Sequence, residues 1–125
     1  MSTIATEGLT ISEAAEAAGV SAHTLRYYER AGLLEPVERA GSGHRRYTEQ
    51  HLEWIRFIGC LRATGMPIRG VREYCELARA GEGTEPERMD VLLRHRAAVE
   101  GQLAELRKNL AAIERKIEIY RERNH

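Results

Sequence analysis

Cysteine, proline and aromatic side chains are scarce in this 125-residue chain: two Cys, three Pro, one Trp, one Phe and five Tyr. Cys60 and Cys75 are too few for a disulfide framework, and neither a CxxC nor a Cys/His zinc spacing occurs. In a reducing compartment both are expected as free thiols. No apolar run approaches the roughly 18 residues a membrane helix needs. The N-terminal MSTIATEG lacks the basic-then-apolar order of a signal peptide, so a cytoplasmic chain is expected, with no membrane partner. Also missing are a Ser/His/Asp set, a paired acid/base constellation and a phosphate-cradling Gly loop, which argues against an enzyme and against a cofactor. His44, His51 and His95 have no second ligand at i+3 or i+4, so no metal site is expected. Trp54 reads as core rather than as a stacking platform.

Charge of one sign is not in excess either, since 19 Lys+Arg balance 19 Asp+Glu. The distribution is uneven. Residues 21–72 hold nine Lys/Arg (26, 30, 39, 45, 46, 56, 62, 69, 72) against five Asp/Glu (29, 35, 38, 49, 53), a balance of about +4. Residues 1–20 hold Glu7, Glu13 and Glu16 and no basic residue. An acidic first helix behind a basic second one suits docking on DNA.

What is present is a succession of helix signals. Thr10 and Glu13 have capping-box spacing ahead of Ala14, Ala15, Ala17 and Ala18, which favour a helix ending at Gly19. Ser21 caps a second helix, expected over 23–31 and ended by Gly32. Two short helices joined by a tight Gly turn, with small residues at the crossing and Val20 and Leu25 beneath, make a helix-turn-helix. From Leu33 to Tyr47 the pattern changes to Pro36, Gly41-Ser42-Gly43 and Arg45-Arg46-Tyr47, which reads as a small hairpin, or wing. Thr48 caps a third helix whose Leu52, Trp54, Ile55, Phe57, Ile58 and Leu61 require burial on more than one side. Gly65-Met66-Pro67 ends it, a fourth helix follows over about 68–80, and Gly81-Glu82-Gly83 breaks that one.

Thr84-Glu85-Pro86-Glu87 is a second capping-box pattern opening a last helix of about 38 residues. Its apolar positions include Met89, Leu92, Val99, Leu103, Leu106, Leu110, Ile113, Ile117 and Tyr120. From Val99 to Tyr120 the spacing alternates four and three, a heptad seam, with Arg96 interrupting its continuation to Leu92. A head this small cannot bury such a stripe, so a homodimer is expected through Leu92, Val99, Leu103, Leu106, Leu110, Ile113, Ile117 and Tyr120. The organisation is therefore a mainly α chain, with a DNA-binding head over 8–82 and a coiled-coil helix over 84–123.

The run Thr10-Ile11-Ser12-Glu13-Ala14-Ala15, then Gly19-Val20-Ser21, then Thr24-Leu25-Arg26-Tyr27-Tyr28-Glu29-Arg30-Ala31-Gly32-Leu33 resembles the N-terminal helix-turn-helix of the MerR family of bacterial regulators. Arg45-Arg46-Tyr47 resembles the family's wing, and the likeness continues through Gly65-Met66-Pro67-Ile68 into the terminal helix. The resemblance implies a winged helix-turn-helix head and an antiparallel coiled-coil dimer. It further implies activation by distorting an overlong promoter spacer, at an inverted repeat, so that bound RNA polymerase can open it. Phe57 to Arg62, Thr64-Gly65-Met66 and Glu82-Gly83-Thr84 look like the AdhR/NmlR subgroup, which responds to reactive aldehydes and thiol stress through a third-helix cysteine; Cys60 falls there. The long-helix cysteines of the metal-sensing branch are absent, and no drug-binding domain is expected after the coiled coil.

In a helix-turn-helix the second helix enters the major groove, which makes Ser21, Ala22, His23, Thr24 and Arg26 candidates to face base edges or nearby phosphates. Arg26 is the expected base reader, since arginine reaches guanine bidentately. Tyr27 and Tyr28 diverge by about 100° on a helix, so they cannot both face DNA. Tyr28 is expected on the DNA backbone, with Tyr27 either there or closing the core. Arg45 and Tyr47 alternate onto one face of the second wing strand and are expected to reach phosphate. Arg69, at a helix N-terminus, is a further phosphate candidate.

Cys60 lies among Phe57, Ile58 and Leu61, where a small inert core thiol is the ordinary outcome. Arg56 one turn before and Thr64 one turn after place it at the stripe's edge near a cation that favours thiolate. Sensing through Cys60 and plain packing both stay open, while Cys75 reads as packing. Rival functions are a partner-recruiting adaptor, an architectural DNA binder, a regulator answering to another small molecule or a metal, and a thiol redox enzyme.

Overall fold

The computed structural model describes residues 8–34 and 46–124. Five α-helices lie among them: α1 (Ile11–Ala18), α2 (Ala22–Arg30), α3 (Glu49–Ala63), α4 (Ile68–Ala80) and α5 (Glu85–Arg123), with a 3-10 turn at Glu82–Thr84. Each expected helix is present, with α2 beginning one residue earlier than its spacing suggested. The tip of the expected wing hairpin, with Arg45, lies outside the described residues.

Local chemistry fixes the helix ends. The Thr10 hydroxyl accepts from the Glu13 N–H at 3.2 Å, and the Glu13 carboxylate accepts from the Thr10 N–H at 2.9 Å, completing the capping box of α1. The Thr10 backbone bond, aided by its hydroxyl, holds the Glu13 carboxyl below its ordinary range. At the end of α2 the Leu33 N–H reaches back to the Tyr28 carbonyl at 2.8 Å and the Gly32 N–H to Glu29 at 3.3 Å, a Schellman arrangement. It puts Gly32 at φ +77°, where a side chain would be strained. Thr48 caps α3 as expected, but its reciprocal partner is His51, whose Nδ1 accepts from the Thr48 N–H at 2.9 Å.

Thr84 departs from the expected box. Its hydroxyl proton is shared between the carbonyls of Leu77 at 2.6 Å and Gly81 at 2.7 Å, while its oxygen accepts from Arg88 Nε at 3.1 Å. The residue therefore closes the end of α4 instead of capping the start of α5: its proton goes back to the carbonyls at the end of α4 and its oxygen is taken by Arg88.

The core follows the 3.6-residue period. Ala14 and Ala15 let α1 pack closely, and Leu25 and Tyr28 form the inner face of α2. Leu52, Ile55, Ile58 and Leu61 are buried along α3, which packs on α1 on one side and α4 on the other. That two-sided contact accounts for its unusually wide apolar stripe. Met66, Val71, Tyr74 and Cys75 complete the interior. Tyr47 pairs with Leu9, ahead of α1, through two 2.7 Å backbone bonds. Strand alternation assigns Tyr47 a partner within the wing hairpin, whereas Leu9 is the residue it pairs with. A Cβ on Gly8 would stand 3.0 Å from the Tyr47 carbonyl oxygen and 3.2 Å from the Arg46 Cβ, so this approach requires glycine there.

Residues 1–88 and 89–125 are two compact units, and α5 runs through the boundary. In the second unit Val91, off the heptad seam, is buried. Leu103, Leu106, Leu110, Ile113, Ile117 and Tyr120 are exposed, Leu106 to 66%. Val99 and Leu92 are half-buried.

Ile55, fully buried on α3, tests the core. Ile55→Ala is expected to lower unfolding free energy by about 2–5 kcal/mol in urea denaturation followed by circular dichroism. A loss below about 1 kcal/mol would mean that α3 is not the central helix of the head.

Candidate nucleic-acid interface

The interface is built on α2. Ser21 accepts from the Thr24 N–H at 3.0 Å and donates its own proton to the Thr24 hydroxyl at 2.9 Å, so both hydroxyls are tied into the start of the helix. Leu25 and Tyr28 take the buried face. His23, Arg26, Tyr27 and Arg30 consequently fall on the exposed side, with Ala22 and Thr24 half-covered. The helix N-terminus carries unpaired N–H groups and a partial positive charge, so this face attracts phosphate as well as base acceptors.

Two tyrosine expectations are corrected. Tyr28 is only 6% exposed and Tyr27 is 39% exposed, the reverse of the expected order. The reason is spacing: Tyr28 lies three residues after Leu25, on the same inward face. Burial pushes its phenol above the usual range. Tyr47 is fully buried and donates its hydroxyl to Glu29 Oε2 at 3.2 Å, so it joins the segment before α3 to α2 rather than reaching phosphate. Its pairing with Leu9 turns the ring inward, against the His51 ring at 6.1 Å.

The basic residues divide into two groups. Arg56 donates to the Ala17 carbonyl at the end of α1 at 3.0 Å, Arg62 to the Met66 carbonyl at 2.8 Å, and Arg72 to the Ala31 carbonyl at 3.3 Å. Arg79 donates to the Gly32 carbonyl. These four hold helix ends. Arg26, Arg30 and Arg69 are exposed and form no hydrogen bond or ion pair with the described residues. Arg69 sits in the first turn of α4, where Pro67 provides no side-chain cap. Arg30 was overlooked in the sequence reading, although its position four residues after Arg26 places it on the same stripe.

Around the end of α2 the contacts converge. The Leu33 carbonyl accepts from Trp54 Nε1 at 2.7 Å and from the Cys75 thiol at 3.5 Å. Trp54 also stacks on Tyr74, with centroids 5.8 Å apart and planes at 18°. Cys75 is buried, and burial pushes its thiol up to about 11. Cys60 is exposed on α3. The neighbours expected to flank it are turned elsewhere: Arg56 to α1, and the Thr64 hydroxyl to the backbone carbonyls of Cys60 at 2.8 Å and Leu61 at 3.2 Å.

Comparison with known proteins decides the family. Residues 9–78 match the MerR HTH family regulatory proteins, and residues 52–117 match the family described as MerR, DNA binding. A helix-turn-helix-type transcriptional regulator of Haemophilus influenzae is 37% identical over 111 residues, 89% of this chain and 82% of that protein. The chain belongs to the MerR family. The regulator AdhR of Bacillus subtilis is 43% identical over 84 residues, 67% of this chain and 60% of AdhR. Among solved structures, HiNmlR, a MerR family regulator lacking the sensor domain and bound to promoter DNA, superposes with a TM-score of 0.81 at 36% identity, covering 90% of each chain.

This MerR-type chain is thus a DNA-binding transcriptional regulator. No helix among its described residues is long and apolar enough to cross a membrane.

The two thiols are expected to differ sharply. Iodoacetamide at pH 8 should alkylate Cys60 in the native protein within minutes and Cys75 only after unfolding, because thiolate is the reactive form and Cys75 is both covered and protonated. Equal labelling of both by peptide mass spectrometry would contradict the burial of Cys75. The elevated Cys75 value also has a sign for stability: the folded state holds the proton more tightly, so its contribution is present below about 9 and is lost as pH rises toward about 11.

Proposed function

We propose that this MerR-type regulator acts as a homodimer joined through α5, binds an inverted repeat in promoter DNA and distorts it so that bound RNA polymerase can initiate. The observation that carries this reading is the seam on α5, where six large apolar side chains from Leu103 to Tyr120 stand in water. Burying each fully is worth about 1.5–3 kcal/mol, and a second copy of the same seam supplies the matching surface. The likeness to HiNmlR, which is bound to promoter DNA, supports the promoter-binding part of this reading.

In this reading residues 8–82 form the DNA-binding domain and residues 84–123 the dimerisation helix. Ser21, Ala22, His23, Thr24 and Arg26 address the major groove, with Tyr27 beside them and Arg30 extending the stripe. Arg69 and Arg45 take phosphates, the latter from the wing outside the described residues. The protein works in the cytoplasm, where the promoter is.

Dimerisation is tested on the seam. Leu110→Arg is expected to shift the mass in light scattering from twice 14.2 kDa to 14.2 kDa. It should also weaken promoter binding by about 100-fold or more through lost bivalency. A wild-type protein of 14.2 kDa at micromolar concentration would end the dimer reading.

For the input, we assign reactive aldehyde or thiol stress to Cys60. Its exposure on α3 and the likeness to AdhR support that assignment. Addition of a thiolate to an aldehyde carbonyl forms a C–S bond and an alkoxide, which takes a proton from water to give a thiohemiacetal and adds bulk at this surface. Cys60→Ser should abolish promoter activation by formaldehyde or methylglyoxal while leaving basal DNA affinity within about twofold. Full induction in the serine protein would remove Cys60 from the mechanism.

A further inference from the structure

A recognition helix reads bases only if its whole body is held at a fixed angle, and α2 has just nine residues with which to fix itself. Its N-terminus must stay open for the ligand, so its restraint has to come from the other end. There the chain turns through Gly32, leaving the carbonyls of Ala31, Gly32 and Leu33 beyond the helix's own hydrogen-bond pattern. Every one of them accepts from a side chain of α3 or α4: Ala31 from Arg72, Gly32 from Arg79, and Leu33 from Trp54 and Cys75.

Arg72 and Arg79 are seven residues apart on α4, two turns along one face, so a single helix presents two guanidinium groups to successive carbonyls. Both charges lie at the negative end of the α2 dipole, where cations are favoured. The C-terminal end of α4 is itself held. Thr84 donates to the Leu77 and Gly81 carbonyls, and Arg88, in the first turn of α5, donates to Gly81 at 3.3 Å and to the Thr84 hydroxyl at 3.1 Å. Thus α4 joins the back of the recognition helix to the root of α5.

We propose that Arg72 and Arg79 are positioning residues for DNA recognition, which set the angle of α2 from behind and do not touch DNA. The proposal rests on α2 being the reading helix, as argued above. A helix about 13 Å long moves as a rigid body, so slack at Gly32 reaches His23 and Arg26 undiminished. Base-edge hydrogen bonds tolerate little displacement, whereas contacts to phosphate adapt readily. Loss of a clamp therefore falls on specificity first.

The experiment uses the full-length dimer and a duplex selected by the wild-type protein from a random-sequence pool. Affinities are measured per folded protein for that duplex and a scrambled one, across a salt series. Arg79→Gln is expected to weaken binding to the selected duplex about tenfold, the cost of one charge-assisted hydrogen bond. Binding to the scrambled duplex should stay within about twofold, and the slope of log affinity against log salt should not change. Arg79→Lys, which keeps one cationic donor, should recover most of the loss. Arg72→Gln is read in the same way and serves if Arg79→Gln does not fold.

A salt slope reduced by about one, with both duplexes weakened alike, would make Arg79 a phosphate contact and overturn the inference. Unchanged binding to the selected duplex in both Gln variants would overturn it too. A wild-type protein that selects no sequence at all would bring down the promoter reading together with this one. Loss of discrimination only in the variants separates the two.

Discussion

The carbonyls of Ala31, Gly32 and Leu33 face away from the helix they follow, and the head is arranged around supplying them with donors. A short helix that keeps its N-terminus open gains little stability from itself, because nucleation is costly and nine residues recover few internal bonds. Packing through Leu25 and Tyr28 holds one face, but packing alone leaves rotation about the contact free. Directional bonds from Arg72, Arg79, Trp54 and Cys75 remove that freedom. Their donors lie on α3 and α4, so those helices must be placed before α2 can be, and the two-sided burial of α3 is what places them.

The same requirement explains how a chain of zero net charge forms a DNA-binding surface. The basic excess of residues 21–72 looks like a single pool directed at phosphate. In the structure three of its arginines are occupied with carbonyls, Arg56 on α1, Arg62 on Met66 and Arg72 behind α2, and Arg79, just outside that segment, is occupied in the same way. Arg26, Arg30 and Arg69 remain outward. Arginine suits both tasks, since its guanidinium stays charged and offers five donors in a fixed fork. A count of charge therefore overstates what faces the ligand, and only partners distinguish the groups.

What was legible in the sequence is what depends on near neighbours. Thr10-x-x-Glu13, Ser21, Gly19, Gly32 and Gly65-Met66-Pro67 mark helix ends by interactions within a turn, and the ends fall where expected apart from a one-residue shift of α2. The seam of α5 was legible because a heptad pattern is periodic and needs no knowledge of the head. The misreadings share an opposite cause. Tyr47 was given to phosphate because strand alternation fixes a face but not what lies over it, and Leu9, 38 residues away, turned that face inward. Thr84 matched a capping pattern, yet its hydroxyl oxygen accepts from Arg88 Nε while its proton goes back to the carbonyls of Leu77 and Gly81. The order of Tyr27 and Tyr28 could have been recovered from Leu25 alone, since i and i+3 share a face.

The two cysteines carry this contrast into chemistry. Cys75 hydrogen-bonds the Leu33 carbonyl, so it belongs to the set of donors that hold α2, and burial keeps it protonated. A thiol used in that way is unsuited to signalling, because it must stay covered for the head to stay intact. Cys60 has no side-chain partner of this kind: the Thr64 hydroxyl beside it bonds backbone, and Arg56 reaches α1. Its thiol can therefore react without first breaking the core. Yet α3, which bears it, also bears Trp54 and Arg56, donors to the ends of α2 and α1. An adduct on Cys60 that shifts α3 would be felt at both helices of the helix-turn-helix through bonds already in place. The route from an exposed thiol to α2 would run through Trp54, the one donor of that set borne by α3, while Arg72, Arg79 and Cys75 hold α2 from α4.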